Sequence, residues 1–212
     1  VDGRYTLQAY NQSGRFFKII TFPNKMPRDV LGNKKLLIGF DPKLFTNSML
    51  VTFFKKNKCI LKPLKKNLID MIWKRKLKSS KTKFYSLPNH STGEKHISKI
   101  NKIRKILKSN NIDYQFVSSS ENNAWLLNIR GRDSNYTPIP HSYILINKNK
   151  SIKFFCDLKK IPFSLKRKLK DINFIDIKFM EKILSNINKK KFIIDRNTCS
   201  VFFENLISKN NY

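Results

Sequence analysis

The chain has 212 residues, 40% of them hydrophobic, with 17 phenylalanines and a formal net charge of +30. That length and aromatic content exclude a disordered chain and allow one large domain or two small ones, each with a real core. No apolar run reaches the roughly 18 residues of a membrane span, and no secretory signal pattern appears, which excludes a transmembrane reading.

The charge has two readings. Lysines can neutralise phosphates and bind any polyanion through counterion release. Lysine here accompanies abundant Asn and Ile throughout, and runs such as Lys189-Lys190-Lys191 fall where turns are expected. A solvated, compositionally biased surface is therefore favoured over a nucleic-acid face, and no nucleic-acid motif supports the latter. Cys59, Cys156 and Cys199 are few, odd in number and far apart. That usage fits small buried residues in a reducing compartment, not a disulfide framework or zinc cluster.

In chain order, Val1 stands where an initiator Met would, and Asp2–Tyr5 reads as a strand end leading into a helix over Thr6–Asn11. The expectation is a chain cut from something longer. Phe16–Phe22 reads as a strand closed by Pro23. Leu36–Phe40 is a short apolar run, followed by a helix through Phe54 whose buried stripe is expected at Leu44, Phe45, Met49 and Phe53. Cys59–Leu64 reads as a strand, and Asn67 as the N-cap of an amphipathic turn ending at Trp73. Lys74–Pro88 has linker composition. The expected division is thus 1–66, a connecting helix and linker over 67–88, and a second domain over 89–212. Residues 1–66, lacking part of their own domain, are expected to expose strand edge and apolar surface.

The second part is more regular. His96–Leu107 places Ile97, Ile100, Ile103, Ile106 and Leu107 on one helical face. Tyr114–Val117 is an expected strand and Glu121–Leu127 an expected helix. Tyr143–Ile146 and Ile152–Cys156 form an expected hairpin around Asn147-Lys148-Asn149-Lys150, residues that tolerate positive φ. Ser164–Leu169, Phe174–Ile177, Phe179–Ile187, Phe192–Ile194 and Val201–Ile207 then alternate in helical and strand patterns, which argues a sheet covered by helices.

Catalytic signatures are sparse. His90, His96 and His141 share no i, i+4 pair, and Glu94, Glu121, Glu181 and Glu204 are dispersed, so the converging donors of a two-metal hydrolase are not found. There is no Gly-x-Ser-x-Gly elbow. The most distinctive stretch is AWLLNIRGRDSNYTPIPHSY, Ala124–Tyr143: an apolar run, a polar turn, two prolines and a return to apolar sequence. Arg130, Asp133, Tyr136 and His141 are its candidate cleft-facing residues. Arg130 and Asp133 can instead brace the turn as a pair, the favoured reading, and His141 by itself reads as a hydrogen-bonded structural residue. Gly131 and Pro138 are candidate structural residues that set the loop path. Trp73 and Trp125 lie on apolar faces, where core or interface packing is favoured over ligand stacking.

DGRYTLQAYNQ (Asp2–Gln12), GFDPKL (Gly39–Leu44), NLIDMIW (Asn67–Trp73) and the Ala124–Tyr143 segment resemble, in order and spacing, the amino-terminal region of three-domain Xaa-Pro aminopeptidases of the creatinase and prolidase superfamily. The resemblance runs to about Cys156; Arg132 stands where the family has Ser, and Thr137 where it has Asn. A Thr in that place is expected to bond the loop backbone more weakly. The resemblance implies an α/β fold of two successive creatinase-N-terminal-type domains, each a mixed sheet covered by helices, the first incomplete. It also implies a catalytic domain outside this chain holding two divalent metals, manganese by family habit, with no cofactor in the chain itself. The implied whole is a cytoplasmic metallopeptidase, a hydrolase that releases an N-terminal residue preceding proline. The implied partners are a peptide substrate with proline at its second position and a second subunit. The fragment is then inactive by itself and shapes or gates the cleft. The alternatives are a basic α/β module binding RNA or another polyanion, and a stand-alone structural remnant of the same fold.

Overall fold

The computed structural model describes residues 1–55, 58–73 and 80–212. In the first region a 3-10 turn over Gly3–Tyr5 leads into α1 (Thr6–Ser13), and a second such turn spans Gly14–Phe16. α2 (Pro27–Leu31), β1 (Leu37–Phe40), α3 (Asn47–Phe54), β2 (Ile60–Pro63) and α4 (Leu68–Ile72) follow. β1 and β2 pair in parallel, Leu37 opposite Ile60. Thr46 caps α3 by accepting from Met49 N at 3.1 Å, and Asn67 caps α4 by accepting from Ile69 N at 2.9 Å, each satisfying an otherwise orphaned helix donor.

Two expectations for this region are corrected. Asp2–Tyr5 and Phe16–Phe22 are not strands: Asp2 and Phe22 meet in one isolated bridge, and Phe16 and Phe17 are exposed. The apolar run is present, but there is no partner strand to complete a ladder among the described residues. The α3 stripe is also rotated from the expected set. The helix begins only at Asn47, so Leu50 is buried with Phe45 and Phe54 around it, whereas Leu44 and Met49 are exposed.

The second region starts its core earlier than residue 89. Phe84 is fully buried and the short β3 (Tyr85–Ser86) already pairs with Ile129 and Arg130. The linker stretch Lys74–Ser79 lies outside the described residues. After β3 come α5 (Asn89–Thr92), α6 (His96–Ser109), β4 (Tyr114–Val117), α7 (Ser120–Leu127) and β5 (Ile129–Arg130). Next are β6 (Tyr143–Asn147), β7 (Ile152–Cys156), a 3-10 turn over Leu158–Lys160, α8 (Phe163–Lys168) and β8 (Ile172–Asp176). α9 (Met180–Ser185), β9 (Phe192–Ile194) and α10 (Val201–Ser208) complete it.

Five of these strands form one mixed sheet in the order β8-β7-β6-β4-β9, with parallel outer pairs and two antiparallel inner pairs. Alternation along the strands divides the core, because successive side chains face opposite sides. Ile144 and Ile146 of β6, with Ile152, Phe154 and Cys156 of β7, pack under α6, α7 and α8. Leu145 and Phe155 point to the other face, where Met180, Leu184, Phe203 and Ile207 of α9 and α10 cover them.

The two regions meet at the start of α10. Its first backbone donors, which have no partner inside the helix, reach across: Val201 N donates to Phe45 O at 2.8 Å and Phe202 N to Pro42 O at 2.9 Å. Asn47 Nδ2 donates to Glu204 Oε2 at 2.8 Å, Lys43 pairs with Glu181 at 3.2 Å, and Val201 inserts beside Phe40 and Leu50.

Candidate functional site: the Gly131–Ser142 loop

The loop grows from the end of α7. Asn128 takes the left-handed conformation there (φ 55°, ψ 37°), which Asn tolerates better than most residues, and turns the chain out of the helix. Two cations close the helix end, where carbonyls are unsatisfied and the dipole is negative. Lys99 of α6, only 3% exposed, donates through Nζ to Trp125 O and Asn128 Oδ1, both at 2.7 Å. Arg130 donates through Nη1 to Ala124 O at 3.2 Å and to its neighbour Ile129 O at 2.8 Å. Burial lowers the Lys99 pKa and the nearby Arg130 charge lowers it further, with Glu94 opposing them. A neutral Lys99 amine would still carry the two N–H bonds its acceptors use.

From this base the loop is clamped. β5 pairs antiparallel with β3, Tyr85 opposite Arg130. Gly131 is packed so closely that a Cβ would stand 2.9 Å from Pro140 Cα and 3.0 Å from the Phe84 ring, so no other residue fits without a shift. Asp133 turns inward: its side chain is 2% exposed and forms an ion pair with Lys160, itself 9% exposed. Its other oxygen accepts from His141 N at 2.8 Å, tying the two limbs of the loop together. Ser142 anchors the return limb, its carbonyl accepting from the buried Asn123 Nδ2 at 2.7 Å. At the tip, Ser134 and Thr137 bridge around Tyr136, which holds φ at 61° and is fully exposed. A positive φ on a bulky aromatic residue is uncommon and costs free energy, so the surrounding clamp imposes it.

The four candidate residues therefore divide. Tyr136 and His141 are exposed at the loop surface, whereas Arg130 and Asp133 serve the interior. The expected Arg130–Asp133 brace is replaced by two separate ones: Arg130 serves the α7 carbonyls and Asp133 the Lys160 ammonium. The exposed Pro138 accepts through its carbonyl from Gly131 N at 3.4 Å, and Thr137 Oγ1 reaches Asn135 O at only 3.5 Å. Trp73 and Trp125 are more than half exposed, not core residues. Trp125 instead lays its ring 4.2 Å from Lys99 Nζ, a cation–π contact at the helix end.

Sequence reasoning missed Lys99, Lys160 and Phe84. Lys99 lies four residues before Ile103 and three after His96, at the margin of the α6 apolar stripe, which is a weak signal that it is drawn inward. Lys160 and Phe84 carry no local signal, since both are buried by segments distant in sequence. Among the described residues no group of three or more His, Cys, Asp or Glu is placed to hold a metal ion. The donor set among the described residues does not fit a two-metal centre.

Residues 75–212 match the Creatinase/Prolidase N-terminal domain family, and the chain belongs to that family. The mixed sheet with helices on both faces is the family's α/β architecture. Among sequence relatives, the Xaa-Pro aminopeptidase ApepP of Drosophila melanogaster is 29% identical over 144 residues, 66% of this chain and 23% of that protein. A "Probable Xaa-Pro aminopeptidase P" of Colletotrichum graminicola is 28% identical over 200 residues, 88% of this chain and 32% of that protein. The chain thus spans about a quarter to a third of the length of these curated relatives. The X-prolyl aminopeptidase of Caenorhabditis elegans, described as a cytosolic enzyme with a di-nuclear active site, covers the whole chain with a TM-score of 0.83 at 23% identity, using 38% of its own length. That likeness is one of fold.

Proposed function

We propose that these residues are the non-catalytic amino-terminal part of a cytoplasmic Xaa-Pro aminopeptidase, whose metal ions and reacting groups lie in a further domain. The observation that carries this reading is the family match over 75–212, joined to relatives named for that activity that are about three times as long. In this reading the clamped loop faces the catalytic cleft and limits what enters it. Tyr136 and His141 are the presenting side chains, and Arg130, Asp133 and Gly131 hold them in place. The rigidity of the loop supports the role, because a gate must keep its shape when substrate arrives. The first region, joined through the start of α10, extends the same wall, and a second subunit would contact this amino-terminal part.

The test is kinetic and uses the full-length enzyme with a peptide carrying proline second. Tyr136→Ala is expected to lower kcat/KM about tenfold or more, roughly the loss of one well-placed aromatic contact, without changing the melting temperature. Unaltered kcat/KM in Tyr136→Ala and His141→Ala would remove the loop from the cleft. The polyanion-binding alternative rests on the +30 charge. Against it, the lysines are scattered over α6, the β6–β7 turn, α8 and residues 189–191, and several are spent on carboxylates.

A further inference from the structure

Between β3 and α8 lies a cleft of about 470 Å³ lined by Phe84, Tyr85, Ser86, Pro162, Leu165 and the α8 cations, with Ser164 at its edge. Its floor is apolar: Phe84 and Leu165 are buried core residues, and Pro162 leads into α8 beside them. Its charged lining is of one sign. Arg167 and Lys168 are there, and no carboxylate is.

The two cations differ in how they are held. Lys168 Nζ donates to Ser86 Oγ at 3.0 Å and to Leu87 O at 3.1 Å, so neutral acceptors position it across the cleft from its own helix and leave its charge uncompensated. Arg167 has no hydrogen-bond or ion-pair partner among the described residues. The carboxylates near in sequence are committed elsewhere: Asp157 accepts from Lys159 N at 3.0 Å, and Asp171 bonds His96 at 3.1 Å. This contrasts with Lys43, Lys102, Lys148, Lys160 and Lys178, each of which stands beside an acid. Adjacent like charges repel, and an oxyanion between them would remove that repulsion while accepting from guanidinium, ammonium and hydroxyl donors together.

We infer that the β3–α8 cleft binds a small ligand with an oxyanion head, a carboxylate or a phosphate, and an apolar body. The head sits between Arg167 and Lys168 with Ser86 and Ser164 in reach. The body lies on Phe84, Pro162 and Leu165 with the half-exposed Tyr85 ring at its side. This site is independent of the peptidase reading.

Calorimetric titration of the chain at low ionic strength, with phenyl phosphate, benzoate and inorganic phosphate as probes, tests the assignment. Saturable one-to-one binding of phenyl phosphate or benzoate is expected, and whichever binds more tightly identifies the head as phosphate or carboxylate. Arg167→Gln, a change at an exposed residue outside the core, is expected to weaken that binding at least tenfold. Lys166→Gln, on the same helix but outside the cleft, should leave it within twofold. An equal loss in both variants, inorganic phosphate binding as tightly as phenyl phosphate, or no saturable binding of either aromatic anion would each overturn the assignment.

Discussion

Residues 1–73 and 80–212 are made from the same kinds of element but hold themselves together differently. The second region buries apolar residues on both faces of a five-stranded sheet, and its helices close both sides. The first offers a two-stranded parallel sheet and a cluster with Phe40 and Leu50 buried, completed by Val201 from the other region. Parallel strands are stable when both faces are covered, yet Leu37, Ile60, Val51 and most of α4 are exposed. The lesson is that the first region depends on what it touches, whereas the second carries its own core. The contact at α10 is then a stabilising one for the first region: Pro42 and Phe45 satisfy helix donors, and Val201 supplies apolar contact.

The widest separation between the two is expected from core truncation. Phe154→Ala removes a fully buried ring that meets Phe174 edge-on and should cost about 3–5 kcal/mol in urea unfolding. Leu37→Ala in the exposed β1 should stay within about 0.5 kcal/mol. Equal costs would end the distinction.

Next in size is the clamp beneath the loop. Lys160→Met strands the buried Asp133 carboxylate and should cost about 3 kcal/mol. Adding Asp133→Leu should restore part of that loss, because an apolar pair leaves no charge uncompensated. A double variant no more stable than the single one would show that the Asp133 bond to His141 N, and not the ion pair, carries the clamp.

The smallest perturbation is chemical labelling of the three free cysteines. Cys156 and Cys199 are fully buried in the second region, and burial pushes both thiols up to about 12, so neither should react with iodoacetamide at pH 8 in the native state. Cys59, half-buried in the first region beside Lys34 O, should take up one equivalent. Modification of Cys199 ahead of Cys59 would mean that the second region opens first.

Legibility in the sequence followed the same division. In 80–212 the periodic segments became the expected elements: α6 over its isoleucine stripe, the β6–β7 hairpin about Asn147–Lys150, and α10 over Val201–Ser208. Each has a local period and meets the sheet that the period implies. In 1–73 the apolar run at Phe16–Phe22 looked equally strand-like but has no ladder partner among the described residues. Strand identity requires a neighbour, and local sequence does not supply one.

The site was partly legible for a related reason. Its loop stood out by composition, with Gly131, the prolines and Tyr136 in one stretch. The directions of its side chains did not. By itself the sequence determined the sheet-and-helix class, the family likeness and the location of the loop, because these rest on periodicity, turn residues and ordered motifs. Only the tertiary structure decided that Arg130 and Asp133 face inward, that Lys160 is buried against Asp133 and Lys99 against the same helix end as Arg130, and that Tyr136 and His141 are exposed. Those outcomes depend on which charge a fold brings within hydrogen-bond reach of another, over separations of 27 and 29 residues at Lys160–Asp133 and Lys99–Asn128. Pairing at that range is set by packing of the whole sheet.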